Sequence, residues 1–209
     1  MIVEVRHEHI TFKMLDLYRN QFKGLENRVA GIFARLPFTP NQYTTCSVAA
    51  AFAALCFLII GGYWVALALF AIAAALDFID GAVARAKNLA NKKGAYRDTI
   101  ADRYVEAIVL FGFLFVELPD FFIPAPAWIF LVLFGSTMTT YAKAAAKEKE
   151  LLETELKGGL MSRGERLLFF FAIIILFSIN LEWATAAIAA FAVLANITAC
   201  QRISMALRK

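Results

Sequence analysis

Residues 42–76 read QYTTCSVAAAFAALCFLIIGGYWVALALFAIAAAL, and no charged side chain occurs anywhere between Arg35 and Asp77. A run of this length and apolarity needs a hydrocarbon environment. It is long enough for two crossings of roughly 20 residues each. Gly61-Gly62-Tyr63-Trp64 in its middle supplies the turn between them, with aromatic rings of the kind that settle at a membrane interface. Further charge-free gaps lie between Asp120 and Lys143, between Arg166 and Glu182, and between Glu182 and Arg202. The whole chain of 209 residues is 61% hydrophobic, with a mean hydropathy of +0.65, outside the range a water-soluble surface tolerates. The pattern predicts an all-α integral membrane protein with six transmembrane helices, at about 42–60, 65–86, 98–117, 122–144, 164–181 and 183–204.

Charge placement orients these spans, because Lys and Arg are retained on the cytoplasmic side. All 21 Lys and Arg fall before the first span, within residues 85–103, within residues 143–166, or after Gln201. The opposite loops carry only Glu117, Asp120 and Glu182. Both termini are therefore expected in the cytoplasm of a multi-pass cell membrane protein. The net charge of +4 then faces anionic lipid headgroups or phosphorylated substrates, and nothing points to nucleic acid. No cleavable leader is expected, since the first 40 residues lack an apolar core segment. Cys46, Cys56 and Cys200 fall inside spans and read as small packing residues.

Ahead of the membrane, Phe12, Leu15, Tyr18, Phe22, Leu25, Val29, Ile32, Phe33 and Leu36 recur at helical spacing with basic residues on the other faces. They predict an amphipathic N-terminal helix on the cytoplasmic interface or packed on the ends of the spans, terminated by Pro37 and Pro40. Residues 1–40 thus form a cytoplasmic segment and residues 41–209 the transmembrane domain. The chain shows no internal repeat.

Charged groups at membrane depth cost at least about 2.5 kcal/mol each, so they seldom occur without a use. Asp77 and Asp80 end the second span three residues apart; Asp98 and Asp102 open the third, four residues apart. Each pair shares a helical face, and a hairpin between the two helices brings all four carboxylates to one depth. Four carboxylates in contact cannot all stay ionised unless cations sit among them. An oxygen-only donor set without His or Cys suits Mg2+ or Mn2+. Four such ligands suffice for two ions about 4 Å apart, an arrangement suited to phosphoryl transfer. Gly81 and Gly94 would admit a phosphate or nucleotide close to the backbone, and Arg85, on the face of Asp77 and Gly81, offers a fork for a diphosphate.

The string Asp77-x-x-Asp80-Gly81-x-x-Ala84-Arg85, eight residues, then Gly94-x-x-x-Asp98-x-x-x-Asp102 resembles the signature of the CDP-alcohol phosphotransferase family, with eight specified positions across 26 residues. Thr39-Pro40-Asn41-x-x-Thr44 is similar to that family's entry into its first span. The resemblance implies transfer of a substituted phosphoryl group from a CDP-linked lipid to the hydroxyl of a polar alcohol, with release of CMP. It implies Asp77, Asp80, Asp98 and Asp102 as ligands of two divalent cations, Mg2+ or Mn2+, and Asp102 as the base as well. It places Asn41, Thr44, Gly81, Ala84, Arg85 and Gly94 at the nucleotide, and implies a homodimer.

Residues 159–167, GLMSRGERL, resemble the branch that makes phosphatidylinositol phosphate or its archaeal ether-lipid equivalent. On that likeness Tyr141, Lys143, Arg163 and Arg166 are the acceptor-binding candidates, holding the phosphate of inositol phosphate. Glycerol phosphate, serine or inositol are the alternative acceptors. The branch carries Arg two positions after that of Lys143, where this chain has Ala145; Lys147 lacks the bidentate fork that would replace it. Arg163 and Arg166 read equally well as positive anchors at a helix start. Intramembrane aspartates also occur in ion transporters, yet here they all lie at one end of their spans, with no polar path across.

Overall fold

The structure, a computed structural model, describes residues 24, 28–151 and 158–208. Six helices account for most of them: α1 (Pro40–Ile59), α2 (Tyr63–Ala86), α3 (Lys92–Phe113), α4 (Ala125–Glu148), α5 (Arg163–Phe177) and α6 (Leu181–Leu207). The described residues contain no strand, only an isolated bridge between Phe121 and Ile123. Four helices, α1, α2, α4 and α6, are long and apolar enough to cross a membrane. The other two are more polar or shorter. α3 holds Lys92, Lys93, Arg97, Asp98, Asp102, Arg103 and Glu106, and α5 is 15 residues long.

Local sequence sets each boundary. Thr39 and Gln42 form a capping box ahead of Pro40, the Thr39 amide donating to Gln42 Oε1 at 2.8 Å. α1 stops at a turn through Gly61, whose φ of +77° favours glycine. α2 ends in a Schellman turn: Asn88 takes φ +55°, while the Leu89 and Asn88 amides donate to the Ala84 and Arg85 carbonyls. Asn91 then caps α3 by accepting from the Gly94 amide at 2.9 Å. This cap starts α3 six residues before Asp98, so the aspartates stand on its second and third turns and the expected loop of residues 86–97 shortens to 87–91. Ser162 and Glu165 box the start of α5, and Asn180 caps α6.

The helices close into a ring in the order α1, α2, α5, α6, α4, α3, with the α3–α4 contact the lightest. α2 and α3 do not pack as a simple hairpin; α1 packs against both, and the space between α2 and α3 is left for their side chains. Phe70, Phe113, Phe170 and Phe191, all fully buried, meet at the centre with ring centroids 5.3 to 6.0 Å apart. Small residues permit the closest approaches. A Cβ on Gly112 would lie 2.6 Å from Leu58 Cδ1, and one on Gly135 would lie 2.9 Å from the Asn196 backbone nitrogen.

Of the expected N-terminal helix, residues 28–33 are helical and 1–23 and 25–27 lie outside the described residues. This helical end packs on the bundle: Val29 and Phe33 cover Tyr43, Ile79 and Val83, and Lys87 Nζ donates to the Leu36 and Phe38 carbonyls. Cys46, Cys56 and Cys200 are free and exposed on the outer surface. They stand on outward faces of α1 and α6, inside the expected spans.

Candidate active site

The last turns of α2, the first turns of α3 and the start of α5 converge on one point. Carboxylate oxygens of Asp77, Asp98 and Asp102 lie within 4.8 Å of one another. The Arg163 guanidinium, on the first residue of α5, donates through Nη2 to both Asp77 Oδ2 and Asp102 Oδ1. A cation held between two carboxylates shows that this point requires positive charge. The donor set is all oxygen, with no nitrogen or sulfur ligand beside it, which fits a hard divalent ion.

Asp80 stands apart from this triplet. Its side chain is buried and its Oδ2 accepts from Thr44 Oγ1 at 2.5 Å, which ties the end of α2 to the start of α1. Asp80 and Asp98 share the wall of a cavity of about 360 Å3 enclosed by the ends of α1, α2 and α3. Asn41, Thr44, Gly81, Ala84, Arg85 and Gly94, all six of the nucleotide candidates, line the same cavity. Its volume lies in the range of small-molecule sites. The Arg85 guanidinium folds back over Gly81, its Nη atoms 3.4 Å from where a Cβ would stand.

The acceptor candidates divide. Arg163 faces the aspartates, and Lys143 is half-buried near the end of α4. Tyr141 is 62% exposed. Arg166 is 5% exposed and faces neither the surface nor an open cavity. Its Nε donates to Glu106 Oε1 at 3.1 Å and its Nη1 to Thr139 Oγ1 at 3.3 Å. The Arg166 guanidinium is thus engaged inside the bundle.

Glu106 organises that interior and was not singled out from sequence. It also accepts from Arg103 Nη2 at 2.9 Å, so one carboxylate holds two arginines from α3 and α5. Arg103 reaches on to the Ser136 carbonyl, and Arg202 of α6 donates to the Thr139 carbonyl at 2.9 Å. The network thus spans α3, α4, α5 and α6 directly beneath the aspartates. The available signal was Glu106 itself, one turn beyond Asp102 on the same face of a span.

Residues 38–198 match the CDP-alcohol phosphatidyltransferase family. The chain is 34% identical over 176 residues to an archaetidylinositol phosphate synthase of Aeropyrum pernix, covering 84% of this chain and 86% of that one. It is 32% identical over 159 residues to an archaetidylinositol phosphate synthase of Pyrococcus horikoshii, covering 76% and 80%. The fold is similar to the crystal structure of the Mycobacterium tuberculosis phosphatidylinositol phosphate synthase PgsA1 with CDP-DAG bound, at a TM-score of 0.74 and 24% identity over 87% of this chain and 92% of that one. With the family match covering more than half its length and six of its eight signature residues lining one cavity, the chain belongs to the CDP-alcohol phosphatidyltransferase family, membrane transferases of phospholipid biosynthesis.

Proposed function

We propose that this enzyme transfers the lipid-bearing phosphoryl group of a CDP-linked lipid to a hydroxyl of inositol phosphate and releases CMP. The observation that carries the reading is that Asp98 belongs both to a triplet of carboxylates within 4.8 Å of one another and to the wall of the 360 Å3 cavity lined by Gly81, Ala84, Arg85 and Gly94. The cytidine head enters that cavity, with Arg85 at the diphosphate and Asn41 and Thr44 beside it. The acceptor oxygen forms a bond to the phosphorus that carries the lipid, the bond from that phosphorus to the CMP oxygen breaks, and Asp102 takes the acceptor's proton.

Asp77, Asp80, Asp98 and Asp102 would hold two divalent cations, Mg2+ or Mn2+. When bound, these supply the positive charge that stabilises the attacking and leaving oxygens at phosphorus. Arg163 and Lys143 bind the acceptor phosphate, with Tyr141 at the rim, while Arg166 positions α5 through Glu106. Solved structures of Mycobacterium tuberculosis PgsA1 hold CDP-DAG in one case and manganese with citrate in another, which supports the donor class and the use of a divalent ion. The archaetidylinositol phosphate synthase relatives support the acceptor.

The catalytic unit is residues 41–209, preceded by a cytoplasmic segment at 1–40. All six helices cross the cell membrane, with both termini and the aspartates on the cytoplasmic side, and the enzyme works as a homodimer. Purified enzyme supplied with radiolabelled CDP-lipid, Mg2+ or Mn2+, and in turn inositol phosphate, glycerol phosphate, serine or inositol, tests the reading. Inositol phosphate is expected to yield a new lipid and CMP. A new lipid from another acceptor alone would overturn the acceptor, and turnover after exhaustive chelation would overturn the metal requirement.

A further inference from the structure

A groove of about 830 Å3 lies outside the aspartate site, on the outer face of the bundle between α1 and α3. The two helices run in the same direction, because α2 reverses the chain once between them, so their N-terminal ends stand together. At that end the groove is lined by Lys92, Lys93 and Arg97. Among the described residues none of the three is paired with a carboxylate. Beyond them the lining becomes apolar, through Val48 and Ile100 to Phe52, which is 52% exposed. From Thr45 to Phe52 the helical rise is about 10 Å. The small side chains of Ala49 and Ala101 also line the groove.

Three uncompensated cations followed by an apolar trough are complementary to an amphiphile with an anionic head and a hydrocarbon chain. We propose that the groove holds one anionic membrane phospholipid that is not a substrate, its phosphate between Lys92, Lys93 and Arg97 and one chain along Val48, Ile100 and Phe52. The donor lipid is the competing occupant, because Thr44 forms part of the wall of both the groove and the nucleotide cavity. The charges decide between them. A donor's phosphates belong beside Arg85 and Asp98 inside the cavity, which leaves the three groove cations for a different phosphate. Such a lipid bridges α1 to α3, the helix that carries Asp98 and Asp102 and has only a light contact with α4.

Native mass spectrometry of the purified protein in neutral detergent, titrated with phosphatidylglycerol or phosphatidylcholine, tests the site. One phosphatidylglycerol is expected per chain, at least tenfold tighter than phosphatidylcholine. Lys92→Gln/Lys93→Gln/Arg97→Gln, at exposed positions, is expected to weaken that binding on the order of a hundredfold, about fivefold for each cation lost. Ala49→Phe/Ala101→Phe fills the trough, keeps the charges, and is expected to lose the bound lipid while binding CDP-diacylglycerol as before. Equal binding of the two lipids, or an unchanged preference in the triple variant, would overturn the proposal. A weakened affinity of the filled variant for CDP-diacylglycerol would assign the groove to the donor, and a dimer dissociated by it would make the groove an interface between copies; either result overturns the proposal.

Discussion

Asp102→Asn preserves the side-chain volume at the centre of the carboxylate triplet but removes a charge and a proton acceptor. Loss of a general base costs about 10²- to 10⁴-fold in rate, so kcat is expected to fall at least a hundredfold. Donor affinity should change little, because Asp102 is not part of the cavity wall. Equilibrium binding of a CDP-lipid alongside single-turnover rates checks both parts; undiminished turnover would remove Asp102 from the role of base. The aspartates were legible in sequence because charges in an apolar run stand out and helical spacing fixes which of them share a face. What could not be read was their division. Asp80 is drawn aside by Thr44, a hydroxyl 36 residues away, and Arg163 reaches Asp77 and Asp102 across 86 and 61 residues. No local pattern encodes pairings at that range. Arg163 was placed among the acceptor candidates from the motif around it, while its contact with the aspartates is a product of α5 packing on α2.

At the scale of elements, Glu106 ties α3 to α5 by holding Arg103 and Arg166 at once, with all three side chains largely shielded. Removing one partner of a buried ion pair costs about 3–5 kcal/mol, because the remaining charge is left uncompensated. Here two arginines would be stranded. Glu106→Ala is expected to lower the unfolding temperature in detergent by roughly 10 °C, with a smaller drop for Glu106→Gln, which keeps an acceptor for one arginine. An unchanged melting temperature in Glu106→Ala would show that the triad contributes no net stability. Five of the six helices were readable from the long charge-free gaps, and the end of α3 from the apolar stretch that follows Glu106. The start of α3 was not, because hydropathy marks where charges stop and not where a helix begins. The Asn91 cap starts α3 within a stretch of Lys and Arg, on turns too polar for an apolar window to register. The ring order was likewise hidden: α1 packs against both α2 and α3 because Ala51, Ala54, Ala66, Ala73 and Gly112 let the backbones approach, and small residues appear throughout these spans.

For the whole molecule, the proposed orientation rests on the charge distribution together with the ring. The starts of α1, α3 and α5 and the ends of α2, α4 and α6 form one end of the bundle, and that end carries the 360 Å3 cavity, the aspartates and the basic loops. The other end presents Glu117, Asp120 and Glu182, with the exposed Trp64, Phe122 and Trp183 among them. Lys and Arg resist translocation, and the CMP released in the proposed reaction would leave on the side where nucleotides are recycled; both considerations favour the cavity end inside. The three native cysteines are exposed, so replacing Cys46, Cys56 and Cys200 by Ser removes no buried packing. In that background, Glu117→Cys is expected to react with a membrane-impermeant maleimide on intact cells. Lys149→Cys, at a side chain 71% exposed at the end of α4, is expected to react only after permeabilisation. Labelling of Lys149→Cys on intact cells would invert the topology. Labelling of both positions would mean that α4 does not cross, since the two residues flank that helix and one crossing must separate them.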